Sequence, residues 1–160
     1  MSVQTAPPQT AVAMLLVDDD RNDVEVALRA LQREGLDRSV HVARDGQEAL
    51  EALGLEPPSS ASGHDVRVRP AVVFLDLKMP RVDGWEVLQR IRDDPETTAL
   101  PVVVISSSDH EMDIRRCYEL GANSFLVKRF DPKSAGAYIA EAARYWLELN
   151  RQPPRRRKPA

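Results

Sequence analysis

Ala71-Val72-Val73-Phe74-Leu75-Asp76 sets five apolar residues in a row and then stops on a carboxylate. A short apolar run with a polar stop is the pattern of a strand buried on both faces, as in a parallel sheet covered by helices. The pattern recurs on either side. Ala13-Met14-Leu15-Leu16-Val17 ends in Asp18, Asp19 and Asp20, Val40-His41-Val42-Ala43 is a shorter run, and residues 124–127 precede Lys128. Val102-Val103-Val104-Ile105 ends in Ser106, Ser107 and Ser108 and begins after Pro101, where a missing N–H does least harm.

Helical periods fill the gaps. Val24, Ala27, Leu28 and Leu31 form an i, i+3, i+4, i+7 stripe that Gly35 terminates, and Asn22 with Glu25 has capping-box spacing. Residues 47–53 carry Ala49, Leu50 and Leu53 on one side, residues 85–91 carry Trp85, Leu88 and Ile91, and residues 112–120 form a fourth helix. Asp131-Pro132 supplies a cap and a first-turn proline for a long last helix ending near Leu149. Residues 55–70, rich in proline and serine, read as a mobile surface loop. Five strands alternating with helices predict an α/β fold, a doubly wound five-stranded parallel sheet with right-handed crossovers. The expected division is a disordered leader over 1–11, one domain over 12–150, and a basic, proline-rich tail over 151–160.

Composition narrows the class. A chain of 160 residues, 42% hydrophobic and 29% charged, has the size and balance of one soluble globular domain. Taking Arg155, Arg156, Arg157 and Lys158 out of the formal net charge of −3 leaves about −7 on the body, a poor partner for nucleic-acid phosphates. The basic end reads as a solvated terminus, and residues 153–160 are too few for a DNA-binding output domain. Cys117 is the only cysteine, which excludes an internal disulfide and suggests a reducing compartment. The apolar run 11–17 is too short to span a membrane, so a cytoplasmic protein is expected.

In doubly wound sheets ligands sit beyond the carboxyl ends of the strands. The residues placed there are Asp18 to Asp20, Asp76, Ser106 to Ser108, and Lys128. Each alone reads as a cap, a turn residue or a solvated charge. Together they form an order of acid, acid, hydroxyl and amine that capping does not explain. Carboxylates gathered at one sheet edge repel unless a cation lies between them, and a hard divalent ion such as Mg2+, held by Asp19 and Asp76, meets that need. A carboxylate can also attack phosphorus, with Lys128, Ser106 and the metal neutralising the phosphoryl oxygens.

Four segments, in order, carry a resemblance: 16–20 (Leu-Val-Asp-Asp-Asp), 43–50 (Ala-Arg-Asp-Gly-Gln-Glu-Ala-Leu), Leu75-Asp76-Leu77-Lys78-Met79-Pro80 with Asp83-Gly84, and 121–128 (Gly-Ala-Asn-Ser-Phe-Leu-Val-Lys). Over about residues 14–147 the chain resembles the response-regulator receiver family of two-component systems, with its (βα)5, flavodoxin-like fold. The resemblance implies a phosphorelay protein that is not an enzyme. It accepts a phosphoryl group on Asp76 from a sensor histidine kinase and signals by changing shape. It further implies metal ligation by Asp19, Asp76 and the Lys78 backbone carbonyl, a contact from Asp18 through water, phosphoryl binding by Lys128, Ser106 and Ser107, and a switch role for Phe125. Asp94-Pro95 through Leu100-Pro101, the Ser106-Ser107-Ser108 triplet and Tyr145-Trp146-Leu147-Glu148-Leu149 are similar to single-domain regulators that pair with bacterial phytochromes.

Two alternatives accompany this reading: a haloacid-dehalogenase-like aspartyl phosphatase, and a receiver fold that binds partners without taking phosphate. The first needs a second acid two residues after the nucleophile, where this chain has Lys78; the second usually lacks an acid or the lysine, and here all are present. The chain departs from the family at Arg129, where proline commonly follows the lysine in a cis peptide; a trans Lys128–Arg129 bond is expected. Along the last helix Ala135, Tyr138, Ile139, Ala142, Tyr145, Trp146 and Leu149 share a stripe and Leu147 falls off it. Residues 145–149 are expected to project past the body and to form a homodimer through Tyr145, Trp146, Leu147 and Leu149.

Overall fold

In the computed structural model, which describes residues 9–59, 67–131 and 133–154, the five apolar runs are strands: β1 (Gln9–Val17), β2 (Val40–Ala43), β3 (Arg67–Asp76), β4 (Val102–Ser106) and β5 (Ser124–Val127). Between them lie α1 (Arg21–Arg33), α2 (Gly46–Ala52), α3 (Gly84–Asp93), α4 (Glu111–Glu119) and α5 (Ala137–Arg144). All pairings are parallel, in the order β2-β1-β3-β4-β5. This is the flavodoxin-like strand order expected of a doubly wound sheet. The alternating pleat sends Leu15, Val17, Val73, Leu75, Val102 and Val104 into one core with α2 and α3, and Met14, Leu16, Val72, Phe74, Val103 and Ile105 into the other with α1 and α5. Each such buried side chain stabilises the fold by about 1.5–3 kcal/mol.

Register brings the strand ends level. Val17 pairs with Leu75, Asp76 with Ile105, and Ser106 with Val127, so the residues that follow each strand converge on one edge. Backbone bonds extend the alignment one residue further, from Asp18 N to Ala43 O at 3.1 Å and from Lys128 N to Ser106 O at 2.8 Å. Glycine keeps the next turn close to this edge. A Cβ on Gly84 would stand 2.2 Å from the Asp76 carbonyl oxygen and 2.6 Å from Leu77 Cα, so any side chain there displaces the backbone at the end of β3.

Several boundaries differ from expectation. Strand β1 begins at Gln9, inside the expected leader, and β3 begins at Arg67, inside the expected loop. Residues 1–8, 60–66 and 155–160, with most of the leader, the middle of the loop and the basic end, lie outside the described residues. The cap of α1 is Asp20, not Asn22: its Oδ1 accepts from the N–H groups of Asn22 and Asp23 at 2.8 and 3.0 Å. On α3, Val87 joins Leu88 and Ile91 in the buried face and Trp85 is only half-buried, its ring 4.4 Å under the guanidinium of Arg116 on α4. Asp131 caps a separate turn, taking bonds from Lys133 N and the Ser134 hydroxyl, and α5 starts later, after Gly136 at φ 73°. Pro132 lies outside the described residues.

The last helix does not overhang. Residues Tyr145–Leu149 form a π turn closed by Asn150 N donating to Tyr145 O at 2.7 Å. Its wider winding rotates Leu147 off the face assigned by 3.6-residue periodicity and onto the body. Trp146 and Leu147 are both partly buried against the core that contains Phe74 and Ile139. Tyr145 and Leu149 are exposed, at 49% and 70%.

Candidate functional site

Asp18, Asp19 and Asp76 form the one group of potential metal-ligating side chains among the described residues, with an oxygen from each within 4.8 Å of the others. Asp18 and Asp76 are both only 6% exposed, while Asp19 faces solvent. Asp18 Oδ1 accepts from Asp20 N at 3.0 Å. Burial first, and then the charge of Asp18, raises Asp76 from an ordinary 3.8 to about 7, against the lowering effect of Lys128. Asp18 is also raised, mainly by burial. A cation between them would relieve both. The set consists of three carboxylates, the donor chemistry of a hard divalent ion rather than of a thiolate- or imidazole-seeking metal.

Lys128 closes the site from the β5 end. Its Nζ lies 2.7 Å from Asp23 Oδ2, 3.1 Å from Asp18 Oδ2 and 3.6 Å from Asp76 Oδ2, with its side chain 10% exposed. Burial alone would lower its pKa; the Asp23 hydrogen bond and the charges of Asp76 and Asp18 outweigh that and raise it. The ammonium is therefore charged at any working pH.

Asp23 is the site residue that sequence reasoning missed. The signal was available, because a cap at Asp20 puts Asp23 at the third helical position, in the first turn where carboxylates are favoured. Placing the cap at Asn22 hid it.

Ser106 is fully buried, and its hydroxyl accepts from Ser108 N at 3.1 Å. Ser108, buried beside it, donates to Asp113 Oδ2 at 2.7 Å, which ties the end of β4 to the first turn of α4. Ser107 points outward. Phe125 is half-buried against the core that holds Leu75 and Val104. Lys78 follows β3 with its side chain exposed. The residues of the expected site thus converge, save that Ser107 faces solvent and Phe125 leans on the core.

The Lys128–Arg129 peptide is trans. With no proline in place, Arg129 keeps its backbone N–H, which favours the ionised form of the nearby Tyr138 hydroxyl against the opposing effect of burial. A cleft of about 190 Å³ lies beside this loop, lined by Asp23, Lys128, Phe130 and Tyr138. A larger cleft of about 380 Å³ runs between α1 and α5, away from the carboxylates. Its Arg33 donates to Ala135 O and its Arg144 pairs with Glu34. No helix among the described residues is long and apolar enough to cross a membrane.

Comparison with known proteins agrees with this geometry. The model of the response regulator receiver domain matches residues 14–140. The probable methanogenesis regulatory protein FilR2 of Methanothrix harundinacea is 36% identical over 140 residues, 88% of this chain and 86% of that protein. Response regulator Rcp1 of Synechocystis is 31% identical over 148 residues, 92% of this chain and 95% of its own length. The crystal structure of Rcp1 in its Mn2+-bound form superposes with a TM-score of 0.76, covering 89% of this chain and 99% of that one. The phosphorylated cyanobacterial phytochrome response regulator RcpA superposes at 0.77 with 31% identity, over 91% of this chain and all of that one. With a receiver-domain match over most of its length and relatives above 30% identity covered nearly end to end, the chain belongs to the response regulator receiver family of two-component signalling.

Proposed function

We propose that the chain is a phosphorelay acceptor which takes a phosphoryl group on Asp76 from a sensor histidine kinase, in a Mg2+-dependent step, and signals through the resulting change of shape. The observation that carries this is the buried Asp76 carboxylate facing Asp18, Asp19 and Lys128. An Asp76 oxygen forms a bond to phosphorus as the donor's phosphorus–nitrogen bond breaks, and the histidine nitrogen leaves with the electron pair. Asp19, Asp76 and the Lys78 carbonyl would hold the ion, with Asp18 acting through water. The ion, when bound, neutralises charge on the transferring oxygens. Lys128 and the Ser106 hydroxyl bind the phosphoryl group. Ser106 already spends a lone pair on Ser108 N–H, which leaves its own proton to donate. Movement of Ser106 would open space for Phe125 to turn inward, a two-state change that phosphate biases.

The protein acts in the cytoplasm as a non-enzymatic carrier of the signal, and likeness to RcpA favours a phytochrome-type kinase as donor. The test is incubation with Mg2+ and either phosphorylated kinase or a small phosphodonor such as acetyl phosphate. Retention of up to one acid-stable, hydroxylamine-labile phosphoryl group per chain is expected; sustained turnover of phosphomonoesters would make the protein an enzyme instead.

Self-association completes the reading. Tyr145 and Leu149 stand out from the π turn and offer a small apolar patch that a second copy would cover, whereas Trp146 and Leu147 serve the chain's own core. Light scattering at rising concentration should show a dimer that Tyr145→Ala with Leu149→Ser reduces to monomer. A wild type that stays monomeric at high concentration, with and without phosphorylation, removes the dimer from the proposal.

A further inference from the structure

We propose that Asp23 is a positioning residue that holds the Lys128 ammonium on the α1 side of the site until a phosphoryl group on Asp76 draws it across. The proposal rests on the phosphoacceptor reading above and concerns how that site is tuned. Of the three carboxylates around Nζ, the nearest is Asp23 at 2.7 Å, which is not part of the metal-type cluster; the farthest is Asp76 at 3.6 Å. The amine therefore rests closest to the one acid that takes no part in phosphoryl chemistry.

Asp23 is well fixed for this. Its backbone N–H is bound by the Asp20 cap at 3.0 Å, and it sits in the first turn of α1, whose Val24 and Ala27 are buried in the core. Lys128 is anchored at its backbone by the bond to Ser106 O, so only its side chain can swing, and the cleft lined by Asp23 and Lys128 leaves room beside it. A carboxylate held this close competes with incoming phosphoryl oxygens for the same three ammonium protons. It also keeps the ammonium from settling fully on Asp18 and Asp76, where it would compete with a divalent cation.

Two opposite changes follow from removing the charge without changing the shape. In Asp23→Asn the ammonium shifts toward Asp18 and Asp76. Beryllofluoride, a phosphoryl mimic, should then bind about threefold to tenfold more tightly at saturating Mg2+, while Mg2+ alone binds about twofold to fivefold more weakly. A loss of structure would weaken both. Asp23→Glu, which restores the carboxylate, should return both constants toward wild type. The route through the lysine is checked in a Lys128→Met background, where Asp23→Asn should change the Mg2+ affinity by less than about 1.5-fold.

The outcomes separate cleanly. A wild type that takes up no beryllofluoride at millimolar Mg2+ overturns the phosphoacceptor reading itself. If the wild type binds the mimic and Asp23→Asn binds it equally or more weakly, the positioning role is overturned. An undiminished effect of Asp23→Asn on Mg2+ in the Lys128→Met background shows that Asp23 acts through its own charge, which also overturns the proposal.

Discussion

Asp76→Asn is expected to take up no phosphoryl group and, without divalent ions, to be more stable than the wild type. The first effect follows from loss of the nucleophilic oxygen. The second follows from linkage. Burial and the neighbouring Asp18 hold Asp76 near 7 in the folded chain, against an ordinary 3.8. Between about pH 4 and pH 7 the folded state keeps a proton that the unfolded state releases, so stability falls as pH rises through that window. Above it the full penalty applies, on the order of 2–4 kcal/mol, and Asn carries none. Thermal unfolding in chelator at pH 8 should show the variant melting about 5–10 °C higher, a gap that closes toward pH 4. Millimolar Mg2+ should raise the wild type more than the variant, because binding to the folded state alone adds stability by mass action. Equal melting temperatures in chelator at pH 8 would count against the electrostatic account, and undiminished labelling of the variant against Asp76 as acceptor.

Lys128→Ala carries the opposite stability effect and the second large loss. Nζ is the buried counter-charge for Asp18, Asp23 and Asp76, and removing it leaves three carboxylates without a cation. Breaking a buried charge group from one side costs about 3–5 kcal/mol. The cost should shrink as pH falls through about 7, where Asp76 takes up its proton, and in Mg2+, which supplies another cation. Phosphoryl uptake from acetyl phosphate should fall about 10²-fold, the usual scale for removing one group that stabilises transition-state charge. Denaturant unfolding in chelator at pH 7.5 reads the first effect; a variant as stable as wild type there would show that the ammonium is not what balances the acids. Lys128→Arg is not expected to restore uptake, since a planar guanidinium cannot take the place of a compact ammonium between three acids.

The parts of the fold legible in the sequence are those where burial is two-sided. Strands β1, β3 and β4 announce their ends because an apolar run buried on both faces must stop where the sheet meets solvent, and those stops are the site. Sequence could not show where β3 begins. At Arg67 to Pro70 the strand pairs with β1 but has no β4 neighbour, since β4 starts opposite Val73. One free side admits charges and even a proline, which erases the apolar signature. The π turn was hidden for a related reason: a 3.6-residue period assumes the very winding that changes at Tyr145, so Leu147 was assigned to the wrong face. Asp23 was obscured by a cap placed two residues late, because both Asp20 and Asn22 satisfy the residue preferences for that position.

Cys117 lends itself to a different use. It is the only cysteine of the chain, fully buried on α4, with its thiol pushed up to about 11, first by burial and then by Asp113. Such a thiol is inert while α4 is seated, because alkylating reagents need both access and thiolate. Its modification rate is therefore a clock on the lifting of α4, the helix tied to Ser106 through Ser108 and Asp113. Where reseating is faster than alkylation, the ratio of the protein's rate to that of a free thiol gives the local opening equilibrium. Following that ratio as the site is loaded would measure, with no introduced label, how far an event at the strand ends reaches into the helical layer.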